Sequence, residues 1–224
     1  VIAHHAPPAA VIFCNTKDVV REVTAYLRHQ GNSALALHGD LEQRERDQVL
    51  IQFANQSCRL LVATDVAARG LDIDDLPAVI NFDLPRDPDQ YTHRIGRTGR
   101  AGKSGLALSL FTARERYKQE GIAADHDRDA AFDKADALPG SGEAMPAPGF
   151  VTLCIAGGRK EKVRPGDILG ALTGAGGIDG KAVGKINVTD YMAFVAVQSD
   201  SAKRALQQLQ TGKIKGRKFK VRRL

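Results

Sequence analysis

Tryptophan is absent from this sequence of 224 residues, and aromatic residues make up only 5% of it. No apolar run approaches the roughly 20 residues that a membrane-spanning helix needs, so no membrane association is predicted. No charged region precedes an apolar one near the N-terminus, and a secretion signal is therefore not predicted either.

Cysteine is also scarce. The three cysteines, Cys14, Cys58 and Cys154, stand far apart, without a Cys-x-x-Cys pair or a Cys/His spacing that suits a metal. This pattern disfavours a disulfide framework and a zinc site, and no metal site is predicted in this chain. A reducing compartment, and hence a cytoplasmic location, fits these cysteines. Cys14 and Cys154 lie within apolar runs and are interpreted as small buried hydrophobic residues.

Positive charge is concentrated at one end of the chain. Residues 151–224 contain 15 Lys and Arg against 5 Asp and Glu, whereas residues 1–150 contain 17 against 21. The net charge of +6 therefore combines a strongly basic C-terminal third with a mildly acidic body. A basic domain of this kind suits binding to a phosphate backbone, although a merely soluble basic domain has the same composition.

The order of apolar and amphipathic segments predicts two domains. Within residues 1–112, short apolar strands alternate with helices, which predicts an α/β fold with a parallel sheet and helices on both faces. Residues 113–150 combine a sparse helical pattern with a Pro- and Gly-rich stretch and are interpreted as a helix and linker. Residues 151–224 have the order βαββαβ, which predicts a small α+β domain: a four-stranded antiparallel sheet, two helices on one face and the other face free to bind.

The strongest local pattern is the segment 93–100, His-Arg-Ile-Gly-Arg-Thr-Gly-Arg. Its arginines, Arg94, Arg97 and Arg100, are spaced three apart after a predicted helix, and the glycines between them allow close approach of the backbone. Clustered guanidinium groups repel one another unless an anion lies between them, and phosphate oxygens match the guanidinium fork. The segment therefore predicts a phosphate-binding site.

This segment resembles motif VI of the DEAD-box helicases, and three more segments resemble other motifs of that family in the same order. They are residues 13–17 (motif IV), 43–46 (the Gln-x-x-Arg element) and 63–73 (motif V). The resemblance covers residues 11–112 and implies the second RecA-like lobe of an ATP-dependent RNA helicase. The phosphate-binding Gly-x-x-x-x-Gly-Lys loop, the Asp-Glu-Ala-Asp sequence and the Ser-Ala-Thr element are missing from this sequence. ATP with Mg is therefore expected to bind mainly to an N-terminal RecA-like lobe that is absent here, and this chain alone is expected to be inactive.

The resemblance also implies roles for individual residues of the nucleotide site. Arg97 and Arg100 are expected to act as arginine fingers on the γ-phosphate of ATP held by the partner lobe. Asp72 is expected to accept a hydrogen bond from the ribose of ATP, and His93 to link the nucleotide site to the opposite lobe. Arg94 is left with two interpretations, a structural ion-pair partner or a further member of the site.

RNA-backbone contacts are implied for four residues of the same region. Thr16, Gln43, Thr64 and Gly70 match motif positions, and hydroxyl groups and backbone amides suit phosphate contacts that do not depend on base sequence. Arg46 is interpreted as an internal tether rather than an RNA ligand.

Residues 151–224 resemble the RNA-recognition-motif-like (RRM-like) tail of the DbpA subgroup of bacterial DEAD-box proteins. The resemblance is carried by residues 153–158, 164–174, 184–186 and 212–216. It implies that the whole protein targets a hairpin of 23S ribosomal RNA, binds pre-large-subunit particles and acts in assembly of the large ribosomal subunit.

The tail has little of the usual RRM chemistry, in which aromatic residues of the sheet stack on bases. Phe194 is the one aromatic at the expected place in the third strand, where it either stacks on RNA or packs in the core. Basic residues, including Arg159 and Arg164, are expected to supply most of the affinity. The residues selected as RNA ligands, besides Phe194, are Lys160, Lys162, Lys215 and Arg217.

Two other functions stay open at this level. The chain could be a non-enzymatic RNA-binding fragment, since it has no phosphate-binding loop of its own. It could also be a lobe of a DNA helicase, because related motors share arginine motifs. The amino-acid sequence of residues 63–73 and the RNA-type tail disfavour this alternative.

Overall fold

The computed structural model describes residues 1–68, 75–99, 104–126, 134, 138 and 144–224, with residues 124–126 as backbone only. The chain divides into two compact units. The first comprises Val1–Val49 and Arg59–Ala147, and the second comprises Leu50–Cys58 and Pro148–Leu224. None of the described helices is both long enough and apolar enough to cross a membrane.

The first unit contains a parallel sheet with the strand order β2-β3-β1-β4-β5. Its strands are β1 (Ala10–Cys14), β2 (Ala34–Leu37), β3 (Leu60–Thr64), β4 (Ala78–Asn81) and β5 (Leu106–Ser109). The central strands β1 and β4 are buried along their whole length. Strands that are covered on both faces are apolar at every position, which explains the continuous apolar runs in the sequence. The predicted parallel α/β sheet is confirmed.

Helices lie on both faces of this sheet. The helices up to residue 126 are α1 (Ile2–His5), α2 (Lys17–His29), α3 (Gln43–Ala54), α4 (Asp65–Ala68), α5 (Pro88–Ile95) and α6 (Arg116–His126). Helix α2 packs Val20 and Leu27 into a cluster with Ile12 of β1. Arg94 of α5 lies against the ring of Phe13. Because neighbouring side chains of a strand point to opposite faces, α2 and α5 cover different faces.

The second unit has the predicted order βαββαβ and an antiparallel sheet, so the RRM-like architecture is confirmed. Its elements are β6 (Phe150–Ile155), α7 (Pro165–Thr173), β7 (Val183–Val188), β8 (Ala193–Gln198), α8 (Ala202–Thr211) and β9 (Val221–Arg223). The strand order is β7-β8-β6-β9. One face of the sheet packs on the helices, where Leu153, Ile155 and Val195 meet Ile168 of α7 and Leu209 of α8.

The opposite face of this sheet is not free, contrary to the expectation from the sequence. Thr152, Cys154, Phe194 and Ala196 belong to that face, because they alternate with the helix-facing residues along the paired strands β6 and β8. Each of the four residues is no more than 2% exposed. The face is therefore covered.

Residues 50–58 belong to the same unit as this sheet, and two of them bind a residue of the covered face. Asn55 Nδ2 donates to Thr152 Oγ1 at 3.1 Å, and the hydroxyl groups of Ser57 and Thr152 are 2.6 Å apart. Asn55 and Thr152 are themselves buried, and a buried polar group must find a hydrogen-bond partner to avoid a large penalty. These two hydrogen bonds therefore hold Asn55 and Ser57 against Thr152 of the covered face.

The three cysteines are buried and are not in disulfides. The interpretation of Cys14 and Cys154 as buried hydrophobic residues is confirmed, since they are 0% and 2% exposed. Burial raises the pKa of the Cys14 thiol to about 12. This thiol therefore stays protonated at neutral pH, and a protonated thiol is a poor nucleophile.

Candidate nucleotide and nucleic-acid site

Polar side chains converge at the carboxyl-terminal edge of the parallel sheet. Asn15 follows β1, Asp65 follows β3, and Asn81 and Asp83 lie at the end of β4 and just beyond it. Strands β3, β1 and β4 are neighbours and parallel, so their last residues meet at one edge. Arg94 of α5 reaches the same edge.

The guanidinium group of Arg94 donates all of its N–H groups to these residues. Nε and Nη2 bind the two carboxylate oxygens of Asp65, each at 2.7 Å. Nη2 also donates to Asn15 Oδ1 at 2.9 Å. Nη1 donates to Asn81 Oδ1 at 3.1 Å and to the carbonyl oxygen of Asp83 at 2.8 Å. An arginine has five N–H donors, so these contacts use every one of them.

These contacts decide between the two interpretations of Arg94. The side chain is 1% exposed and forms an ion pair with Asp65, and its guanidinium carbon lies 5.2 Å from the centroid of the Phe13 ring. Burial of a charge is costly unless the charge is paired and hydrogen-bonded, and here both conditions hold. Arg94 is therefore a structural ion-pair partner, and no donor remains for a phosphate.

The segment around Arg94 also carries predicted nucleotide ligands. His93 is exposed, and Arg97 is partly exposed in the turn that follows α5. The carbonyl oxygen of Arg97 accepts a hydrogen bond from Leu76 N at 2.9 Å, and Thr98 Oγ1 donates to the carbonyl oxygen of Leu76. The turn is therefore anchored on the segment that leads into β4. The other predicted nucleotide ligands, Arg100 and Asp72, lie outside the described residues.

Two predicted RNA-contacting threonines lie where a strand gives way to a helix. Thr16 is exposed, and its Oγ1 accepts a hydrogen bond from Val19 N at 3.3 Å as the N-cap of α2. Thr64 ends β3, and its Oγ1 accepts from Ala67 N of α4 at 3.4 Å. An N-cap satisfies one of the backbone donors that the start of a helix leaves unpaired. Both hydroxyl groups are thereby fixed at the strand ends.

The remaining predicted RNA contacts of this region concern α3 and the segment after α4. Gln43 is exposed, and its Nε2 donates to Asp47 Oδ1 at 2.7 Å. Arg46 Nη2 donates to the carbonyl oxygen of Ala67 at 3.3 Å, which supports its interpretation as an internal tether. Gly70 lies outside the described residues.

An ion cluster lies at the start of α2, next to Thr16. Lys17 Nζ is 3.0 Å from a carboxylate oxygen of Asp40, and Arg21 pairs with both Asp18 and Asp40. The hydrogen bond from Lys17 has the largest effect on the pKa of Asp40, and the one from Arg21 the next largest. Both hold this pKa below its ordinary value. Asp40 therefore stays ionised and balances the cations at this helix start.

No site role was predicted for the residues that bind Arg94, namely Asn15, Asp65, Asn81 and Asp83. A usable signal was present, because each of them lies at the end of a buried strand or one or two residues beyond it. In open α/β sheets the carboxyl ends of the strands are where functional sites form. That rule would have grouped the four residues before their contacts were known.

A cleft of about 540 Å³ in the second unit is lined by Arg159, Lys162, Arg164 and Lys215, which together define the basic cleft. Lys215 Nζ donates to the carbonyl oxygen of Lys162 at 3.1 Å. Arg159 forms an exposed ion pair with Asp190 at 3.0 Å. Asp190 pairs with one of the four cations, and the carboxylate of Asp167 accepts a hydrogen bond from Arg164 N at 2.9 Å at the start of α7. The cations still outnumber these carboxylates, and the surplus of positive charge favours an anion.

Tight turns bring the two predicted lysine ligands to the basic cleft. Lys215 and Gly216 have φ angles of 50° and 78° and connect Ile214 to Arg217, whose backbone groups exchange hydrogen bonds of 2.8 and 3.0 Å. Positive φ at both central residues is typical of a type I′ turn. Lys162 also has a positive φ, of 61°. Non-glycine residues in this conformation are uncommon and cluster at functional sites.

The other RNA ligands predicted in the second unit have different surroundings. Lys160 and Arg217 are exposed, and each is close in sequence to a residue of the basic cleft. Phe194 is 2% exposed and pairs with Cys154 on the covered face of the sheet. Its ring is not available for stacking in this structure, so the prediction of Phe194 as an RNA ligand is corrected in favour of packing.

The two units match two known domain families. Residues 1–102 match the helicase conserved C-terminal domain, and residues 152–223 match the DbpA RNA binding domain. The parallel sheet with its arginine segment and the RRM-like unit with its basic cleft thus define a helicase C-terminal lobe joined to an RNA-binding domain.

Similarity to known proteins shows to which helicase family this lobe and RNA-binding domain belong. The chain is 51% identical to the ATP-dependent RNA helicase DbpA of Escherichia coli (strain K12) over 98% of its own length and 48% of that protein. It belongs to the DEAD-box family of ATP-dependent RNA helicases, in the DbpA subgroup. The chain therefore spans about half the length of this relative.

Two solved structures are similar to part of the chain. One is the E. coli DEAD-box protein SrmB bound to regulator of ribonuclease activity A, with a TM-score of 0.57, 34% identity, and coverage of 65% of this chain and 85% of that one. The other is S. cerevisiae Dbp5 L327V bound to RNA and ADP BeF3, with a TM-score of 0.50, 34% identity, and coverage of 55% and 33%.

Proposed function

We propose that this chain is the second motor lobe and the targeting domain of an RNA-dependent ATPase that separates RNA strands. The observation that carries the proposal is that the residues of segment 93–100 have two different environments. Arg94 is saturated inside the lobe, whereas His93 is exposed and Arg97 stands in the anchored turn beyond α5. Arg94 holds the helix in place, and contact with ATP is assigned to His93, Arg97 and Arg100.

The donor chemistry of this segment fits a nucleoside triphosphate, because guanidinium forks bind phosphate oxygens in pairs. Arg97 and Arg100 stabilise the negative charge on the phosphoryl group as it is transferred, while His93 connects the site to the first lobe. Asp72 accepts a hydrogen bond from the ribose hydroxyl. Mg and the remaining ATP contacts are assigned to the N-terminal lobe. When bound, ATP supplies the phosphoryl group whose transfer to water drives the cycle.

RNA is assigned to two places on this chain. In the first unit, Thr16, Gln43, Thr64 and Gly70 contact the backbone of the strand on which the motor acts. Support comes from Dbp5, which shares the fold of this unit and whose structure contains RNA and ADP BeF3. Contacts from hydroxyl and amide groups carry no sequence information, which suits a motor that must act on many sequences.

In the second unit, RNA is assigned to the basic cleft and its neighbours rather than to the sheet face. Lys162 and Lys215 line the cleft, and Lys160 and Arg217 extend the same surface. We propose that the target is a hairpin of 23S ribosomal RNA within pre-large-subunit particles in the cytoplasm. The protein then acts in assembly of the large ribosomal subunit. The match of residues 152–223 to the DbpA RNA binding domain supports RNA as the ligand of this unit, and the hairpin is what the resemblance to the DbpA subgroup implies.

A strand-separation assay on the full-length protein, with both motor lobes, tests the proposed function. We expect an RNA duplex placed next to the 23S hairpin to separate faster with ATP than with a non-hydrolysable analogue. The same duplex without the hairpin should separate more slowly, because the second unit no longer concentrates the motor on it.

The alternatives predict other results in the same assay. A non-enzymatic RNA-binding protein binds the hairpin but separates no strands with ATP. A DNA helicase separates a matched DNA duplex and leaves the RNA duplex intact. Either result contradicts the proposed function.

A further inference from the structure

The turn between β7 and β8 presents a tyrosine to solvent. Tyr191 is 69% exposed, and it is the one exposed aromatic residue among the described residues of the second unit. The other aromatic residues of this unit are buried or half-buried, namely Phe53, Phe150, Phe194 and Phe219. A single exposed apolar residue is common on protein surfaces, so the surroundings of Tyr191 decide what its ring can do.

Hydrogen bonds across the turn hold the backbone on both sides of Tyr191. The backbone N and the Oγ1 of Thr189 donate to the carbonyl oxygen of Met192 at 2.8 and 2.9 Å. Met192 N donates to Thr189 Oγ1 at 3.2 Å. Asp190 and Tyr191 are the two residues between them, at the tip of the turn. Because this backbone is already ordered, a ligand of the tyrosine ring loses little affinity to the ordering of the turn.

The same turn is bound to one wall of the basic cleft. Arg159 N donates to the carbonyl oxygen of Thr189 at 2.8 Å, and Lys160 N donates to that of Asp190 at 2.9 Å. Arg159 Nε also pairs with the Asp190 carboxylate. A Cβ on Gly158 would lie 2.4 and 2.6 Å from the two accepting carbonyl oxygens, so this close fit requires glycine. The turn therefore has a fixed position relative to the basic cleft.

The strand that leads into the turn also reaches the basic cleft. Val188, the last residue of β7, lines the cleft beside its basic residues. Tyr191 follows only three residues later and is adjacent in sequence to Asp190, the partner of Arg159. An exposed aromatic ring is thus held next to a site that favours an anion.

We propose that Tyr191 stacks on an unpaired base of the RNA whose backbone phosphate lies in the basic cleft. The inference rests on the proposed binding of RNA by the second unit and adds the structural class of that RNA, which is a loop or a bulge. Bases within a continuous duplex stack on one another, whereas bases of loops and bulges are free to stack on an aromatic side chain. The cations of the cleft bind any RNA backbone, and Tyr191 adds the requirement for an unpaired nucleotide.

The charge around Tyr191 favours RNA over a protein partner. Exposed tyrosines are also enriched at protein interfaces, but those interfaces are depleted of lysine at their core. Here Arg159 and Lys160 bind the turn that carries Tyr191, and the adjoining cleft has a surplus of positive charge. A positively charged groove combined with an aromatic ring is the usual arrangement for binding unpaired nucleotides.

Three variants of the 224-residue chain isolate the contribution of the ring. Tyr191→Ala removes the ring, and Tyr191→Phe keeps the ring without its hydroxyl group. Tyr117→Ala is the matched control, because Tyr117 is 68% exposed and belongs to the first unit. The side chain of Tyr191 is exposed and the turn is closed by Thr189 and Met192, so we expect all three variants to fold.

The first readout is the affinity for a 23S hairpin fragment with unpaired loop nucleotides and for a blunt RNA duplex of the same length. We expect Tyr191→Ala to bind the hairpin about 5- to 150-fold more weakly, the usual effect of losing one stacked base. Its affinity for the duplex should not change. Tyr191→Phe and Tyr117→Ala should bind both RNAs like the wild type. The slope of log affinity against log salt should stay the same in Tyr191→Ala, because a stacked ring neutralises no phosphate.

The second readout is fluorescence from a tryptophan placed at the same position. The chain contains no tryptophan, so the emission of Tyr191→Trp comes from this site alone. An indole ring stacks on bases as well as a phenol ring does, and hairpin affinity should be retained. We expect the bound hairpin to quench the emission and the bound duplex to leave it unchanged.

The outcomes separate the inference from the proposed function. If the wild-type chain binds neither RNA, the proposed function of the second unit is wrong and the inference is wrong with it. If the wild type binds the hairpin and Tyr191→Ala binds it equally well, only the inference is overturned, and a protein partner becomes the better explanation of the exposed ring. An equal loss of affinity for hairpin and duplex, or the same loss in Tyr191→Phe, would also overturn stacking on an unpaired base.

Discussion

Arg97→Ala in the full-length protein should lower RNA-stimulated ATP turnover by about 10³- to 10⁵-fold, the usual effect of losing an arginine finger. Such a loss corresponds to about 4–7 kcal/mol of transition-state stabilisation. The reason is the role proposed for Arg97, which is to neutralise charge that builds only during phosphoryl transfer. RNA binding through the basic cleft should persist, because Arg97 belongs to the other compact unit. Steady-state ATPase and RNA-binding measurements on the same preparation check both statements.

The control for this variant is Arg116→Ala. Arg116 lies on α6 and forms an exposed ion pair with Glu120 at 3.2 Å, and such pairs contribute little to stability. Arg116→Ala makes the same change of side chain and charge as Arg97→Ala, on the same unit. ATP turnover by Arg116→Ala should therefore match that of the wild type. Normal turnover in Arg97→Ala would remove Arg97 from the site.

The second large effect concerns the basic cleft. In the 224-residue chain, the double variant Lys162→Gln and Lys215→Gln should weaken binding of the 23S hairpin and reduce its dependence on salt. Each phosphate contact that is lost lowers the slope of log affinity against log salt by about one, so the slope should fall by about two. Binding measured across a range of salt concentrations provides the slope.

Two controls locate this effect. The double variant Lys181→Gln and Lys203→Gln removes the same charge from exposed positions of the second unit that are not in the cleft lining, and its slope should stay that of the wild type. Phe194→Leu keeps an apolar side chain in the covered face, and its RNA affinity should not change. Loss of affinity in folded Phe194→Leu, with normal binding by the cleft variant, would show that the sheet face binds RNA instead.

Much of the fold was predictable because the signals are local. Helix α5 runs from Pro88 to Ile95, since a proline suits the first turn of a helix and Gly96 favours its end. Thr16 caps α2, and threonine is among the residues favoured at that position. The alternation of apolar strands and amphipathic helices was enough to predict the parallel sheet of the first unit. The order βαββαβ was enough to predict the antiparallel sheet of the second unit.

What could not be predicted depends on residues far apart in the sequence. The alternation along β8 places Phe194 on the face opposite the helices, but nothing local shows whether that face is covered. The contact between Asn55 and Thr152 joins positions 97 residues apart. The role of Arg94 was undecided for the same reason, since Asn15, one of its partners, is 79 positions away. A resemblance to motif VI identifies an arginine but not the acceptors that surround it.

We propose that this chain belongs to a motor whose ATP turnover is switched on by one structured ribosomal RNA. Phosphate release by the full-length protein, titrated with a 23S hairpin fragment and with unrelated RNA of equal length, tests it most directly. We expect the hairpin fragment to stimulate release at concentrations at which unrelated RNA has no effect. Equal stimulation by both RNAs would contradict the targeting role, and no stimulation by either would contradict the motor itself.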